Sequence, residues 1–430
     1  MSATDTTEIV VHEDGTTELE VYHDRFRPSP AGWAARIAVY AVLVFIVFLL
    51  PQWVLQSSDF VALCTAVIFA IFGISLNVLL GYTGTISLGH QAFVGIGAFT
   101  SAYVVSELHQ PFLLGVLAAG LVGALQAAIL GGLSLRVTGL YFALVTLSYG
   151  LFAQDTLFGI QAITGGGAGR QAPLPTGEGN FIPYYYVCLA FLAGVLWIDW
   201  RMMKTKAGRA LLALRENQRV AATLGIDVKA YLVLGFMVSG VFAGIGGALY
   251  AHMNGFVSPT DFNLQLAILL VLMTVAGGLR NRTGIVAASA FTALLDLLVR
   301  KIPGVDTVLK NLQVTLPVLV LLIGAGVLIG GTLRRRPIKV GVGAALIAFA
   351  AIVLSPITVP LIEPHLNQLP DLTASTFRIL ALPVIVLITL VTAPGGLGQQ
   401  IRPIQRWLGG HRFDLHAAHQ DEVVITDVRA

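Results

Sequence analysis

Long apolar stretches recur along the chain with short polar breaks between them. Most approach the ~20 residues a helix needs to cross a bilayer. The spacing predicts spans at 35–56, 60–80, 90–106, 111–134, 139–158, 182–200, 230–251, 264–279, 283–299, 309–331, 340–360 and 376–393. The third and eighth are short, and Gly277-Gly278 interrupts the chain between the eighth and ninth, so either place can hold a re-entrant or discontinuous helix. The fold class that follows is all-α: a polytopic membrane helix bundle of about 10–12 transmembrane helices, some of them broken or short.

Composition agrees with the pattern. The chain is 56% hydrophobic and 11% charged, against about 25% charged in soluble domains. Between Arg36 and Arg136 the only charges are Asp59 and Glu107. The 46 glycines suit close helix packing or broken helices. Cys64 and Cys188 both sit in apolar runs and read as packing residues, with no disulfide framework or zinc site.

Lys and Arg set the orientation, because cytoplasmic loops carry the excess of them. With twelve spans and the N-terminus inside, 21 of the 26 fall on inner segments; Arg170, Arg300, Lys301, Lys310 and Arg378 do not. Both termini are then cytoplasmic. The basic residues lie in clusters between apolar spans, so nucleic acid is not an expected partner and membrane lipid is. Residues 1–34 read as a disordered cytoplasmic tail, with seven acids and no Lys or Arg before residue 25. No secretory signal pattern follows it. Residues 399–430 read as a second cytoplasmic tail.

Chemistry-bearing motifs are sparse. There is no G-x-x-x-x-G-K-[ST], H-E-x-x-H or G-x-S-x-G, and no pair of catalytic carboxylates. The chain is not read as an enzyme, and no metal or cofactor is expected on it. The Gly-rich loop 160–181 lies on the outer side and reads as a mobile surface at the mouth of a path.

Polar side chains at membrane depth are costly and face a bundle interior or water. The candidates are Asn77, His90, Gln91, Gln126, Gln154, Asp155 and Asp296. Asp155 and Asp296 stand near span ends, where snorkelling explains them. Asn77, His90 and Gln91 flank Gly81–Gly89, a stretch too polar and glycine-rich for a lipid-facing helix. It reads either as unwound backbone beside a cavity or as a plain inner turn. The candidate translocation residues are Asn77, Gly81, Gly84, Ser87, Gly89, His90 and Gln91.

A second polar interruption runs from Arg201 to Lys229, with good helix formers between Ala207 and Thr223. Arg215 and Arg219 should share a helix face, and Glu216 can pair with Arg219. Leu211, Leu214, Ala221 and Ala222 can form its apolar side. The segment is either a basic loop against anionic headgroups or a docking helix for a cytoplasmic partner.

Several blocks resemble the branched-chain amino acid ABC-transporter permeases of the Liv type. They are the stretch from Asn77 through Phe99, Gly139–Leu147, Thr164-Gly-Gly, Ala213–Ile226, Gly246–His252 and Gly255–Pro259. Together they cover roughly residues 70–300 in the family's order, and their details look more like the M-type subunit than the H-type. The resemblance makes 35–300 the permease core. It implies a second permease subunit, two cytoplasmic ATP-binding subunits that carry ATP and Mg, an extracytoplasmic solute-binding protein, a small-molecule substrate and a location in the plasma (cytoplasmic) membrane. It also assigns Arg215, Glu216, Arg219, Ala221, Ala222 and Gly225 to the loop that docks on the ATPase. Relatives with the same signature carry urea, amides or aromatic acids. One departure is an additional hairpin near 300–375, inside the segment of additional and terminal helices at 301–398. The competing classes are an ion-coupled secondary transporter of amino acids and a membrane scaffold without transport.

Overall fold

The computed structural model describes residues 6–11, 17–22, 59–135, 139–177 and 179–301. Strands β1 (Thr6–Val11) and β2 (Thr17–Tyr22) pair antiparallel, Thr6 opposite Tyr22 and Val11 opposite Thr17. This corrects the expectation of a disordered tail at those residues. Both strands are rich in β-branched residues, and Asp14-Gly15, a strong hairpin signal, lies between them.

Helix α1 (Phe60–Asn77) continues without a break into a π-helical turn at Val78–Thr83. Then come α2 (His90–Ser106), α3 (Phe112–Ser134) and α4 (Leu140–Asp155). A connection of single turns and the short strand β3 (Arg170–Gln171) leads to α5 (Phe181–Lys204). Two amphipathic pieces, α6 (Lys206–Glu216) and α7 (Gln218–Thr223), precede the long α8 (Val228–Asn254). Strand β4 (Phe256–Val257) pairs with β3, and α9 (Leu264–Gly277) and α10 (Arg282–Lys301) follow. Two compact units divide the chain, 1–290 with 386–430 and 291–385. Of the second, only the C-terminal part of α10 is described.

A helix stands at each predicted span from 60–80 through 283–299. Phe60–Thr83, α3, α5 and α8 are long and apolar enough to cross a membrane. The third and eighth predicted spans are indeed short, α2 with 17 residues and α9 with 14. The predictions at 35–56, 309–331, 340–360, 376–393 and 399–430, and the additional hairpin beyond α10, lie outside the described residues.

Glycine decides how the helices meet. A Cβ on Gly240 would strike the Gly123 carbonyl, one on Gly244 the Ala119 carbonyl, and one on Gly247 the Val94 carbonyl. So α8 lies backbone to backbone against α3 and α2, the close approach small residues permit in lipid. The far side of α3 presents Leu113, Leu117, Leu121, Leu125, Ile129 and Leu133, all exposed at four-residue intervals. This is the apolar outer stripe expected of a helix facing acyl chains.

At the end of the bundle holding β3 and β4, Arg170 pairs with Glu107 at 2.6 Å and lies over the Tyr103 ring. His252 bonds Ser101 Oγ through Nε2 (3.0 Å) and the Pro173 carbonyl through Nδ1 (2.8 Å). The loop read as a mobile surface is therefore fastened at several points, by partners distant in sequence.

Candidate functional site

The site begins where α1 widens. Leu79's carbonyl accepts the amides of Gly84 and Thr85, the latter at 3.1 Å, and the Thr83 hydroxyl at 2.7 Å. Gly84 ends the turn at φ +71°, a conformation glycine enters without strain. The unwound stretch is thus 84–89, not 81–89, because the extra residue of the π-turn carries Gly81 inside a helical turn. Any side chain on Gly81 would collide with the Asn77 amide oxygen.

Three other elements converge on this turn. Arg215 of α6 donates from Nη1 to the Gly81 carbonyl at 2.5 Å. The Arg280 amide, between α9 and α10, donates to Asn77 Oδ1 at 2.8 Å. The Tyr82 hydroxyl donates to Asp199 Oδ2 at 3.1 Å. Asp199, near the end of α5, also receives the Arg282 guanidinium. Its carboxylate is fully enclosed, and Arg282 is 28% exposed. Desolvation and the neighbouring Arg280 charge lower the Arg215 pKa, while Glu216 raises it.

Sequence reasoning missed Asp199 and Arg282. The available signal was a carboxylate near the end of an apolar span together with arginines on another inner loop. Nothing in the spacing joins residues 83 apart.

The remaining translocation candidates are brought together but sealed. Ser87 is 2% exposed, and His90 and Gln91 are wholly buried. His90 Nε2 bonds Ser75 Oγ at 2.9 Å, and Ser75 and Ser239 exchange bonds with each other's carbonyls at 2.7 and 2.9 Å. Among the described residues, Ser87 Oγ, His90 Nδ1 and both Gln91 amide atoms have no hydrogen-bond partner. Helix α4 closes over the segment among the described residues. Gly89 abuts the Thr146 carbonyl, Leu88 N–H donates to Thr146 Oγ1 at 3.0 Å, and Gln91 lies against Gly150. A cavity of about 310 Å³ lies elsewhere, against α5 and α8, with an apolar lining that includes Phe191, Gly194 and Ile245. Gln126 donates to the Tyr149 hydroxyl at 2.7 Å, and Asp155 is exposed at the end of α4. The Asp296 side chain lies outside the described residues.

The basic interruption is two helices rather than one. Asn217 (φ −162°, ψ 111°) breaks the path and caps α7 by accepting the Arg219 and Val220 amides at 2.9 and 3.2 Å. Asn often takes this role because its side chain satisfies amides that a new helix leaves open. The break separates Arg215, half-buried on Gly81, from Arg219, which faces solvent; the two do not share a face. It also removes the expected Glu216–Arg219 ion pair, which is not among those of the described residues. Leu211, Leu214 and Ala221 are buried, but Ala222 is exposed, a correction to the predicted apolar side. Glu216, Arg219, Val220, Leu224 and Gly225 also face outward, Val220 at 53% and Leu224 at 73% exposure.

A family model described as "Branched-chain amino acid transport system / permease component" matches residues 60–324, more than half of the chain. The chain belongs to this permease family. It is 31% identical over 278 residues to the high-affinity branched-chain amino acid transport system permease protein LivM of Salmonella typhimurium, covering 58% of this chain and 65% of the relative. LivM of Escherichia coli is 30% identical over 261 residues, 54% of this chain and 61% of its own. The nucleoside ABC transporter permease protein NupC of Lactococcus lactis is 36% identical over 124 residues, 27% and 38% of the two chains. The permease thus spans somewhat less than two thirds of the LivM relatives' length. No solved structure is a significant match. The family match and the apolar helices make this a membrane protein of that permease family.

Proposed function

We propose that this permease is a membrane subunit of an ATP-driven importer that moves branched-chain amino acids, or related small polar solutes, across the cytoplasmic membrane with both termini cytoplasmic. It works with a second permease subunit, two cytoplasmic ATP-binding subunits that hold ATP and Mg, and an extracytoplasmic solute-binding protein; it carries no cofactor itself. The observation that carries the reading is the outward face of α6–α7. Two aliphatic side chains, Val220 and Leu224, stand in solvent on the same segment as the exposed charges of Glu216 and Arg219, a segment tied through Arg215 to a transmembrane helix. Exposed aliphatics alongside both charge signs fit a protein partner better than a headgroup layer, which favours uniform positive charge. Translocation is assigned to the Asn77–Gln91 segment, whose unpartnered amide and hydroxyl groups can bind a polar solute once α4 moves away.

Asp199, a buried carboxylate in a spanning helix, favours a second reading: an ion-coupled transporter of amino acids. Purification of the tagged chain from native membranes in mild detergent separates the two. The importer reading expects an ATPase with a phosphate-binding loop and a second permease to accompany it, with ATP hydrolysis stimulated by leucine and the binding protein. Transport by the isolated chain in proteoliposomes under an ion gradient alone would overturn it.

A further inference from the structure

The ion pair at the end of α5 has no part in the docking face, yet it holds the same helical turn. Asn77 to Tyr82 is gripped from three directions: Arg215 on the Gly81 carbonyl, the Arg280 amide on Asn77, and Asp199 with Arg282 on the Tyr82 hydroxyl. The grip is not relaxed. Arg280 stands at φ +69°, unusual for a residue with a side chain, and its amide is held there by Asn77. Just beyond the turn come the buried polar atoms of Ser87, His90 and Gln91 that lack partners.

We propose that Asp199 and Arg282 are positioning residues that couple the docking segment to the translocation segment through the π-turn. The inference rests on the ATP-driven reading given above. A π-turn is an α-helix carrying one surplus residue, so releasing it re-aims the residues at its end, Tyr82 to Gly84, by up to about 100°. The stretch 84–89 that follows is unwound, so such a change at Val78–Thr83 displaces Ser87 within it and reaches His90 and Gln91, at the start of α2, through that stretch. Arg215 acts on the carbonyl within the turn and moves with the docking segment. Asp199 and Arg282 fix Tyr82, near the turn's end, to α5 and α10, so that motion at Gly81 is delivered to 84–91 and not lost in a general shift of α1. A two-arrangement element biased from one site and read at another is what coupling requires.

The chemistry of the pair makes the idea testable. Removing one partner of a buried pair leaves an uncompensated charge, whereas removing both is often tolerated. The experiment uses the complete complex in proteoliposomes, with ATP hydrolysis and solute uptake measured together. The double variant Asp199→Leu/Arg282→Met is expected to assemble and hydrolyse ATP at close to the wild-type rate. Its solute moved per ATP should fall about tenfold, the size of an ordinary coupling free energy. Asp199→Glu, which keeps the pair, should restore the ratio. A Ser87→Cys reporter should show ATP-dependent labelling by a water-soluble maleimide in the wild-type background and lose that dependence in the double variant. The neutral polar pair Asp199→Asn/Arg282→Gln gives the same readout if the apolar pair does not assemble. A wild-type transport ratio in an assembled double variant, or unchanged ATP-dependent labelling, would overturn the coupling role. Failure of the unmodified complex to use ATP would instead overturn the importer reading, and with it this inference, before any substitution is made.

Discussion

Arg215 and Gly81, 134 positions apart in sequence, are joined by a hydrogen bond of 2.5 Å from a loop guanidinium to a helix carbonyl. One was assigned to a docking loop and the other to a translocation segment, and the bond joins the two segments directly. Arg215→Gln should lower chain stability by about 1.5 kcal/mol, the low end for a hydrogen bond to a charged group. It should lower uptake far more than stability. Thermal unfolding in detergent, run beside uptake in cells, checks the ratio of the two effects.

Gly84 and Gly89 belong to the same loop but should fail differently when replaced. Gly84 needs its positive φ, and a Cβ there meets only the Arg215 side chain, at 3.0 Å. Gly84→Ala should therefore fold, with a cost of about 1–2 kcal/mol for the left-handed backbone, and lose uptake. A Cβ on Gly89 falls on the Thr146 carbonyl, which cannot give way without moving α4. Gly89→Val should lower the yield of folded protein. Size-exclusion profiles of the two variants distinguish blocked flux from lost packing.

Gly240 is a packing position with no expected part in the chemistry. Gly240→Leu drives a side chain into the Gly123 carbonyl and the Ala127 methyl. Overpacking of this kind costs about 1–3 kcal/mol or more, and the separation of α3 from α8 should show as a lowered unfolding temperature. The same change at Gly194, whose Cβ position meets nothing within 4 Å, should leave that temperature almost unchanged.

Glu216 is exposed and makes no ion pair with Arg219, so its charge is free of a structural duty to that neighbour. Glu216→Lys should leave membrane insertion and thermal stability intact while abolishing uptake, through reversed charge on the docking face. Normal leucine uptake by this variant would remove the docking assignment.

The pair at the opposite end of the bundle offers a contrast in magnitude. Glu107 is 58% exposed and Arg170 only 9%. Exposed ion pairs contribute about 0–1 kcal/mol, so Glu107→Gln should change stability little. Arg170→Ala removes the Tyr103 stacking as well and should cost more, the cation–π contact alone adding about 1 kcal/mol. Paired unfolding curves in detergent give the order directly.

The sequence by itself determined the class of this protein. Apolar runs near bilayer length, few charges and clustered arginines set the helices from Phe60 to Lys301 within a few residues of where they stand, because burial in lipid depends on the composition of each segment alone. It also singled out Asn77–Gln91 and Arg215–Gly225, because polar residues in such a background are costly enough to need a purpose. It misjudged three local features. The strand pair Thr6–Val11 and Thr17–Tyr22 was hidden by its acidic character, the helix break at Asn217 competes with strong flanking helix formers, and the π-turn differs from an α-helix by a single residue.

Tertiary structure alone decided the partners. That Asp199 meets Arg282 and Tyr82, that Arg215 reaches Gly81, and that α4 packs over Gly89 and Gln91 are all contacts between segments whose separation carries no periodicity. Each depends on which helices stand side by side; backbone approach at Gly123, Gly240, Gly244 and Gly247 fixes one such packing, that of α8 on α3 and α2. A glycine in the sequence says that close approach is possible; only the folded bundle says to what.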